Sequence, residues 1–282
     1  MAQEKYVAYV GTYTHENSIG IHVYDIDMEK GKLTERSVAP ISNPSNIAVA
    51  HSGKYLYSIE DEGVASFSID ENGDLTKINQ AWIGGMRACY VEIDSNDRYL
   101  FLAGFHDGKV TMMRLNEDGS IAGIADGVFH QGVGKSSVEK RMDPRVSCTK
   151  LTPDEKYLCA VDWGLNQIKI YEVDYEEGKL HLYDILRFPF NSAPRRIRFS
   201  KDGKFAYVLE ETTNMVDIYT YDLREGKPVF EKIKTTSVLE KEDSLASGSA
   251  LEFAPDGKYL YVSLDGANEV VCLAVGEDGL IS

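Results

Sequence analysis

The sequence predicts an all-β protein, a β-propeller of four-stranded blades, and three observations carry that expectation. A charged residue in or beside a tight turn runs into an aromatic strand six times, in EKYVAYVG, GKYLYSIE, DRYLFLAG, EKYLCAVD, GKFAYVLE and GKYLYVSL. Aligned on Lys5, Lys54, Arg98, Lys156, Lys204 and Lys258, the copies recur about every 51 residues, a blade-like period. Between the copies lie alternating segments bounded by Gly, Asp and Asn, and no segment shows a sustained helical period.

Each repeat supplies its strands in a constant order. The aromatic run is one strand, and a short polar turn leads from it into an alternating strand: GIHVYDID, VASFSID, KVTMMRLN, IKIYEVD, VDIYTYD or VVCLAV. A hairpin turn such as EKGK, ENGD, NEDGS or EEGK follows, then a third strand, a loop, and the strand that enters the next aromatic turn. Four antiparallel strands per repeat make a blade. Blades bury their faces against neighbours, so the repeat predicts a single domain over residues 1–282.

Composition narrows the function classes. With 30 Lys+Arg against 45 Asp+Glu the formal net charge is -15, which repels polyanions and argues against nucleic acid or an anionic membrane as partner. Much of the acidity sits in hairpin turns, as expected of a solvated rim. The N-terminus MAQEKYVAYVGTY enters a strand without a charged-then-apolar leader, and no apolar run approaches the roughly 18 residues of a membrane span. A cytoplasmic location is expected. Cys89, Cys148, Cys159 and Cys272 show no C-x-x-C spacing and read as buried, reduced thiols rather than a zinc site.

Blade geometry predicts where functional residues gather. The innermost strand starts, and the second strand ends, at the same mouth of the channel. The strand starts supply Tyr90, Arg145, Ser147, Arg195 and Arg196; the strand ends supply Glu60, Asp162, Glu210, Glu211 and Asp265. The carboxylates are of the type that binds Ca2+ or Mg2+, yet no D-x-D-x-D-G loop is present and converging carboxylates also describe a solvated channel. Neither a metal nor a cofactor is predicted. His106, in GFHDG, lies close to the mouth, and His130 opens a long connection nearby; His15, His22, His51 and His181 fall in turns or outer strands and are expected to be solvated. Trp163 and Phe105 near the same face suit stacking on a sugar ring or packing between blades. Arg195 and Arg196 beside Glu210 and Glu211 read either as a structural ion network or as a site.

The segments GTYT, SIGIHVYDID, GGMRACYVEID, HQGVGKSSVEKRMDPRVSCTKLTPDEKYLCAVDWGLNQIKIY, SAPRRIRFSKDGKFAYVLEE and SALEFAPDGKYLYVSLDG resemble the bacterial seven-bladed propeller lactonases, a family of 6-phosphogluconolactonases that also includes a fungal carboxymuconate cyclase. The resemblance covers essentially the whole chain. It implies seven blades, of which about six are present here. Only 24 residues follow Lys258, so the last blade is expected to be missing or truncated. It also implies hydrolysis of 6-phosphogluconolactone, a small anionic sugar lactone, to 6-phosphogluconate in the pentose phosphate route.

The family's functional positions carry over only in part. Its P-H-x-H stretch reads Pro144, Arg145, Val146, Ser147, without either histidine, and its P-R-H reads Pro194, Arg195, Arg196. The glutamate of N-E-L remains as Glu211, preceded by Glu210, whereas Ala250 and Asp265 replace a glutamate and an arginine of the sixth blade. Of the catalytic set proposed in the cyclase branch, Arg195 and Glu211 survive. Lactone hydrolysis needs a base for water and donors for the developing oxyanion. Glu211 as base and Arg195 are the expected catalytic pair, with Arg145, Arg196, Asp162, Ser147, Glu210 and His106 binding substrate; Asp162 is a second candidate base. Two other readings stay open: a non-catalytic propeller that binds a small anionic metabolite or a protein partner at its mouth, and a muconate-cyclase-like lactone enzyme.

Overall fold

The computed structural model describes residues 6–132, 143–241 and 245–282, so Lys5 of the first repeat and most of the connection after His130 lie outside the described residues. Every regular element among the described residues is a strand, and none is a helix long and apolar enough to cross a membrane. Contacts divide the chain into two compact units, Met1–Phe129 and His130–Ser282.

The first unit holds three antiparallel sheets. They are β1 (Tyr6–Val10), β2 (Gly20–Asp27) and β3 (Lys32–Pro40); β4 (Ile47–Val49), β5 (Tyr55–Glu60), β6 (Gly63–Ile69) and β7 (Leu75–Ala81); and β8 (Tyr90–Ile93), β9 (Tyr99–Gly104), β10 (Lys109–Leu115) and β11 (Ile121–Phe129). The second unit repeats the plan with β12 (Val146–Leu151), β13 (Tyr157–Asp162), β14 (Gln167–Asp174) and β15 (Lys179–Arg187); β16 (Pro194–Phe199), β17 (Phe205–Glu210), β18 (Met215–Arg224) and β19 (Lys227–Ser237); and β20 (Ser247–Phe253), β21 (Tyr259–Asp265) and β22 (Glu269–Ala274). These are the blades of an all-β propeller, with the aromatic repeat as second strand in every sheet but the first. The sequence predicts four strands per blade. The first sheet instead begins on its aromatic strand, and the sixth has three strands, with an isolated bridge between Val275 and Ile281.

Burial departs from simple alternation in the inner strands. Every residue of β9 and β13 is buried, as are the first five of β6 and β10. These strands are covered on both faces, so hydrophobic residues occupy consecutive positions. The outer strands β7, β15 and β19 stay largely exposed. Tyr57, Ile59, Val91, Leu100 and Leu102 form a core in the first unit; Tyr207, Leu209, Leu251 and Val262 form one in the second.

Tyrosines of the aromatic strands reach across to the next sheet. Tyr9 donates its hydroxyl hydrogen bond to the Gly73 carbonyl at 2.8 Å, Tyr57 to Gly119 at 3.1 Å, Tyr157 to Gly226 at 3.0 Å and Tyr207 to Gly279 at 2.8 Å. Each acceptor lies in the hairpin turn between the third and fourth strands of the following sheet, except the last, which lies in the turn after β22. Burial raises the Tyr57 and Tyr207 phenols, that of Tyr207 to about 12, which keeps them as donors. Gly119 and Gly279 hold φ of 77° and 78°, and a Cβ on either would lie 2.3 Å from the ring of Tyr55 or Phe205. The turn must be glycine to adopt that backbone and to admit the neighbouring ring.

Tyr57→Phe removes one donor from the buried Gly119 carbonyl, which still accepts from Ser66 at 2.6 Å. The expected loss is about 1 kcal/mol in urea unfolding. Gly119→Ala combines left-handed strain with the clash against Tyr55 and is expected to cost about 2 to 3 kcal/mol.

Candidate active site

The site in the second unit is shaped by irregularities at the starts of its innermost strands. In β12 the register with β13 jumps between Val146 and Cys148, and in β16 the register with β17 jumps between Pro194 and Arg196. The residues inserted are Ser147 and Arg195. A bulge re-aims the side chains beside it. Ala193, just before β16, holds φ of 51°, an unusual value for alanine, while its carbonyl accepts from the Glu211 amide at 2.9 Å. The start of β16 is thereby tied to the residue that follows β17.

Arg195 and Glu211 meet through Nη1 and Oε2 as an ion pair. Their side chains are 28% and 21% exposed, so the pair is accessible. Arg195 Nε is buried and finds no acceptor among the described residues, so the guanidinium is incompletely satisfied. Arg145, exposed just before β12, lies with its guanidinium 5.7 Å from the centroid of the half-buried Trp163 ring. The stack puts a cation over an aromatic face. The Trp163 amide donates to the Arg145 carbonyl at 2.9 Å, and a Cβ on Gly164 would lie 1.9 Å from the Asp143 carbonyl oxygen. Only glycine lets the turn after β13 lie this close to the chain entering β12.

Several predicted binding residues have a different place. Asp162 is fully buried: Oδ1 accepts from the amides of Arg145 at 2.9 Å and Leu165 at 3.0 Å, and Oδ2 lies 2.6 Å from His130 Nδ1. It braces the turn that carries Trp163 and cannot act as a solvent-facing base or substrate ligand in this arrangement. Ser147 is buried with its hydroxyl donating to the Arg195 carbonyl at 2.9 Å. Arg196 Nη1 donates to the Ser147 carbonyl, so this arginine clamps β16 to β12.

Glu210 also points away from the expected site. Consecutive strand residues face opposite sides, and Glu210 turns inward, where it accepts from Thr213 and neighbours buried Asp217. Burial, opposed by the Thr213 hydrogen bond and assisted by the Asp217 charge, raises its pKa. Asp217 itself accepts from Lys232 at 2.6 Å and Thr235 at 2.7 Å.

His106 is exposed in the first unit, edge-on to Phe105. Glu60 and Tyr90 are buried, with Glu60 3.4 Å from Lys77 Nζ. Asp265 is exposed. Among the described residues no group of three or more His, Cys, Asp or Glu could hold a metal ion. Of the cysteines, Cys148 and Cys159 are buried as expected, whereas Cys89 is intermediate and Cys272 exposed.

His130, which the sequence places near the mouth, is a buried partner of Asp162. Its side chain and that of Asp162 are both 0% exposed, and its Nε2 has no partner among the described residues. Burial lowers its pKa from the ordinary 6.5, partly offset by the Asp162 hydrogen bond and charge. The folded state thus resists protonation more than the unfolded chain, and this contribution to stability is lost as pH falls below about 6.5. It levels off below the folded value. Unfolding titrations from about pH 7.5 to about pH 5 are expected to show this decline, with a shallower one in His130→Gln. An identical slope in both proteins would contradict the assignment.

Comparison with known proteins matches this architecture. Residues 7–282 fit the family model described as Lactonase, 7-bladed beta-propeller. A 6-phosphogluconolactonase of Bacillus subtilis is 32% identical over 280 residues, covering 97% of this chain and 78% of the relative. The structure of a periplasmic gluconolactonase from Pseudomonas aeruginosa has a TM-score of 0.88 at 28% identity, covering 98% of this chain and 81% of the other. A protein from Lactobacillus plantarum superposes with a TM-score of 0.86 at 28% identity, covering 99% and 81%. With a family match spanning nearly its full length and the repeated blades to accompany it, the chain belongs to the seven-bladed β-propeller lactonase family.

Proposed function

We propose that this chain is a lactone hydrolase acting on 6-phosphogluconolactone, giving 6-phosphogluconate in the cytoplasmic pentose phosphate route. The observation that carries the proposal is the accessible Arg195–Glu211 pair, a carboxylate base beside a cationic donor. Glu211 takes a proton from water as the water oxygen attacks the lactone carbonyl carbon. Arg195 donates to the carbonyl oxygen as charge develops there. The ring C–O bond then breaks, and the departing ring oxygen takes up the proton to leave an open-chain acid. Arg145, held over Trp163, supplies positive charge for the phosphate, while the Trp163 ring offers an apolar face to the sugar. Asp162, Ser147 and Arg196 hold this arrangement from behind.

The pairing itself favours a second reading. Glu211 Oε2 is already committed to Arg195, so the site also suits a non-catalytic propeller that binds an anionic metabolite. The two readings part in an assay with freshly made 6-phosphogluconolactone and unphosphorylated gluconolactone, after subtraction of spontaneous hydrolysis. Catalysis predicts an enzyme-dependent rate with a preference for the phosphorylated lactone. Glu211→Gln should lower kcat about 100-fold or more, and Arg145→Ala should raise KM about 10-fold with less effect on kcat. No excess rate, with 6-phosphogluconate still bound in calorimetry, would select the binding reading. Equal rates for the native protein and Glu211→Gln would move the base to another residue.

A further inference from the structure

We propose that Ser18, His22 and Glu35 form a second hydrolytic site, a nucleophilic triad in the first blade that accepts neutral, activated acyl esters. Ser18 lies in the loop between β1 and β2, His22 on β2 and Glu35 on β3. Ser18 Oγ is 2.9 Å from His22 Nε2, and His22 Nδ1 is 3.0 Å from Glu35 Oε2. The hydrogen-bond roles follow from chemistry. An ionised carboxylate only accepts, so Nδ1 of the neutral imidazole carries the proton and Nε2 presents its lone pair to the serine hydroxyl. Nucleophile, base and orienting carboxylate are thus linked in the sequence that activates a serine.

The strand register places the carboxylate. His22 pairs with Val38 and Val23 with Ser37, but Tyr24 pairs with Glu35, leaving Arg36 as an extra residue. The shift puts Glu35 on the face of β2 shared by His22 and Tyr24. Tyr24 donates to the same Glu35 oxygen at 3.2 Å and helps to hold it. Arg36 turns instead to Asp25 and Asp74.

The surroundings define the substrate class. Ser18 is half-buried and the His22 side chain is 16% exposed, so a small ester can reach them. The Thr12 hydroxyl contacts Ser18 Oγ and lies 3.2 Å from the Gly20 carbonyl; with the Ser18 proton directed to His22, Thr12 gives its single proton to one of these two oxygens at a time. Tyr13 and Ile19 are large apolar side chains, each 58% exposed, on the same loop. Glu35 and the acidic chain disfavour an anionic substrate. These features favour an apolar or aromatic acyl ester over the sugar phosphate of the other site.

The reaction proceeds in two balanced transfers. Ser18 Oγ forms a bond to the ester carbonyl carbon as its proton passes to His22 Nε2. The bond to the alcohol oxygen breaks, and His22 returns the proton to that oxygen. Water then attacks the acyl-serine with the same imidazole as base, releasing the carboxylic acid and restoring Ser18.

A fluorophosphonate probe followed by peptide mass spectrometry tests the assignment. The expected product is a covalent adduct on Ser18, formed at least about 100-fold more slowly in His22→Gln, which keeps a hydrogen-bonding side chain but loses the base. Glu35→Gln should slow labelling about 10-fold or more. An unlabelled Ser18, or one labelled equally fast in a folded His22→Gln, overturns the proposal. Should His22→Gln melt early, 4-nitrophenyl acetate given to the unaltered protein decides. An acetyl group on Ser18 with a stoichiometric burst of nitrophenolate supports the triad; modification elsewhere, or no burst, refutes it.

Discussion

Within each unit, the hydroxyl of a core tyrosine reaching a glycine carbonyl in the neighbouring hairpin turn sets the spacing on which the other contacts depend. Tyr9, Tyr57, Tyr157 and Tyr207 all do this, each from an aromatic strand. The ring fills the space between sheets while its polar end hydrogen-bonds a turn carbonyl of the next sheet. Glycine is required on the receiving side at Gly119 and Gly279, where a neighbouring aromatic ring takes the volume of a side chain. One contact therefore joins hydrophobic burial, turn chemistry and sheet-to-sheet registration.

The same scaffold explains why some polar residues brace the proposed site while others stay open to solvent within it. Asp162 links His130 to the amides of Arg145 and Leu165, and Arg196 links β16 to the Ser147 carbonyl. Both are committed before a substrate arrives. Arg195 and Glu211 remain accessible because a bulge inserts Arg195 at the strand start and Glu211 lies just beyond β17. The charged pair thus stays partly exposed in front of residues held by buried hydrogen bonds.

The aromatic repeat and the alternating segments made the blades readable from sequence, and Arg195 and Glu211 were readable at their offsets within the repeat. Glu210 was misplaced because adjacent positions in the chain face opposite sides of a strand. Asp162 and Ser147 were correctly placed at strand termini, but their burial depends on neighbours 32 and 48 residues away, at His130 and Arg195. His22 looked like a solvated outer-strand histidine; the register shift in β3 instead brings Glu35 to one side of it while the preceding loop brings Ser18 to the other.

The sequence by itself determined the strand order, the blade period and the family, because hydrophobic alternation and turn residues act locally and recur. It also determined which chemical groups stand at the strand ends. Only the tertiary structure decided which of them face solvent and which partner each takes, since bulges, buried hydrogen bonds and the facing of neighbouring strands depend on residues far apart in the chain. The six aromatic strands therefore identify the scaffold, whereas the accessibility of Arg195 and Glu211 and the alignment of Ser18, His22 and Glu35 follow from packing.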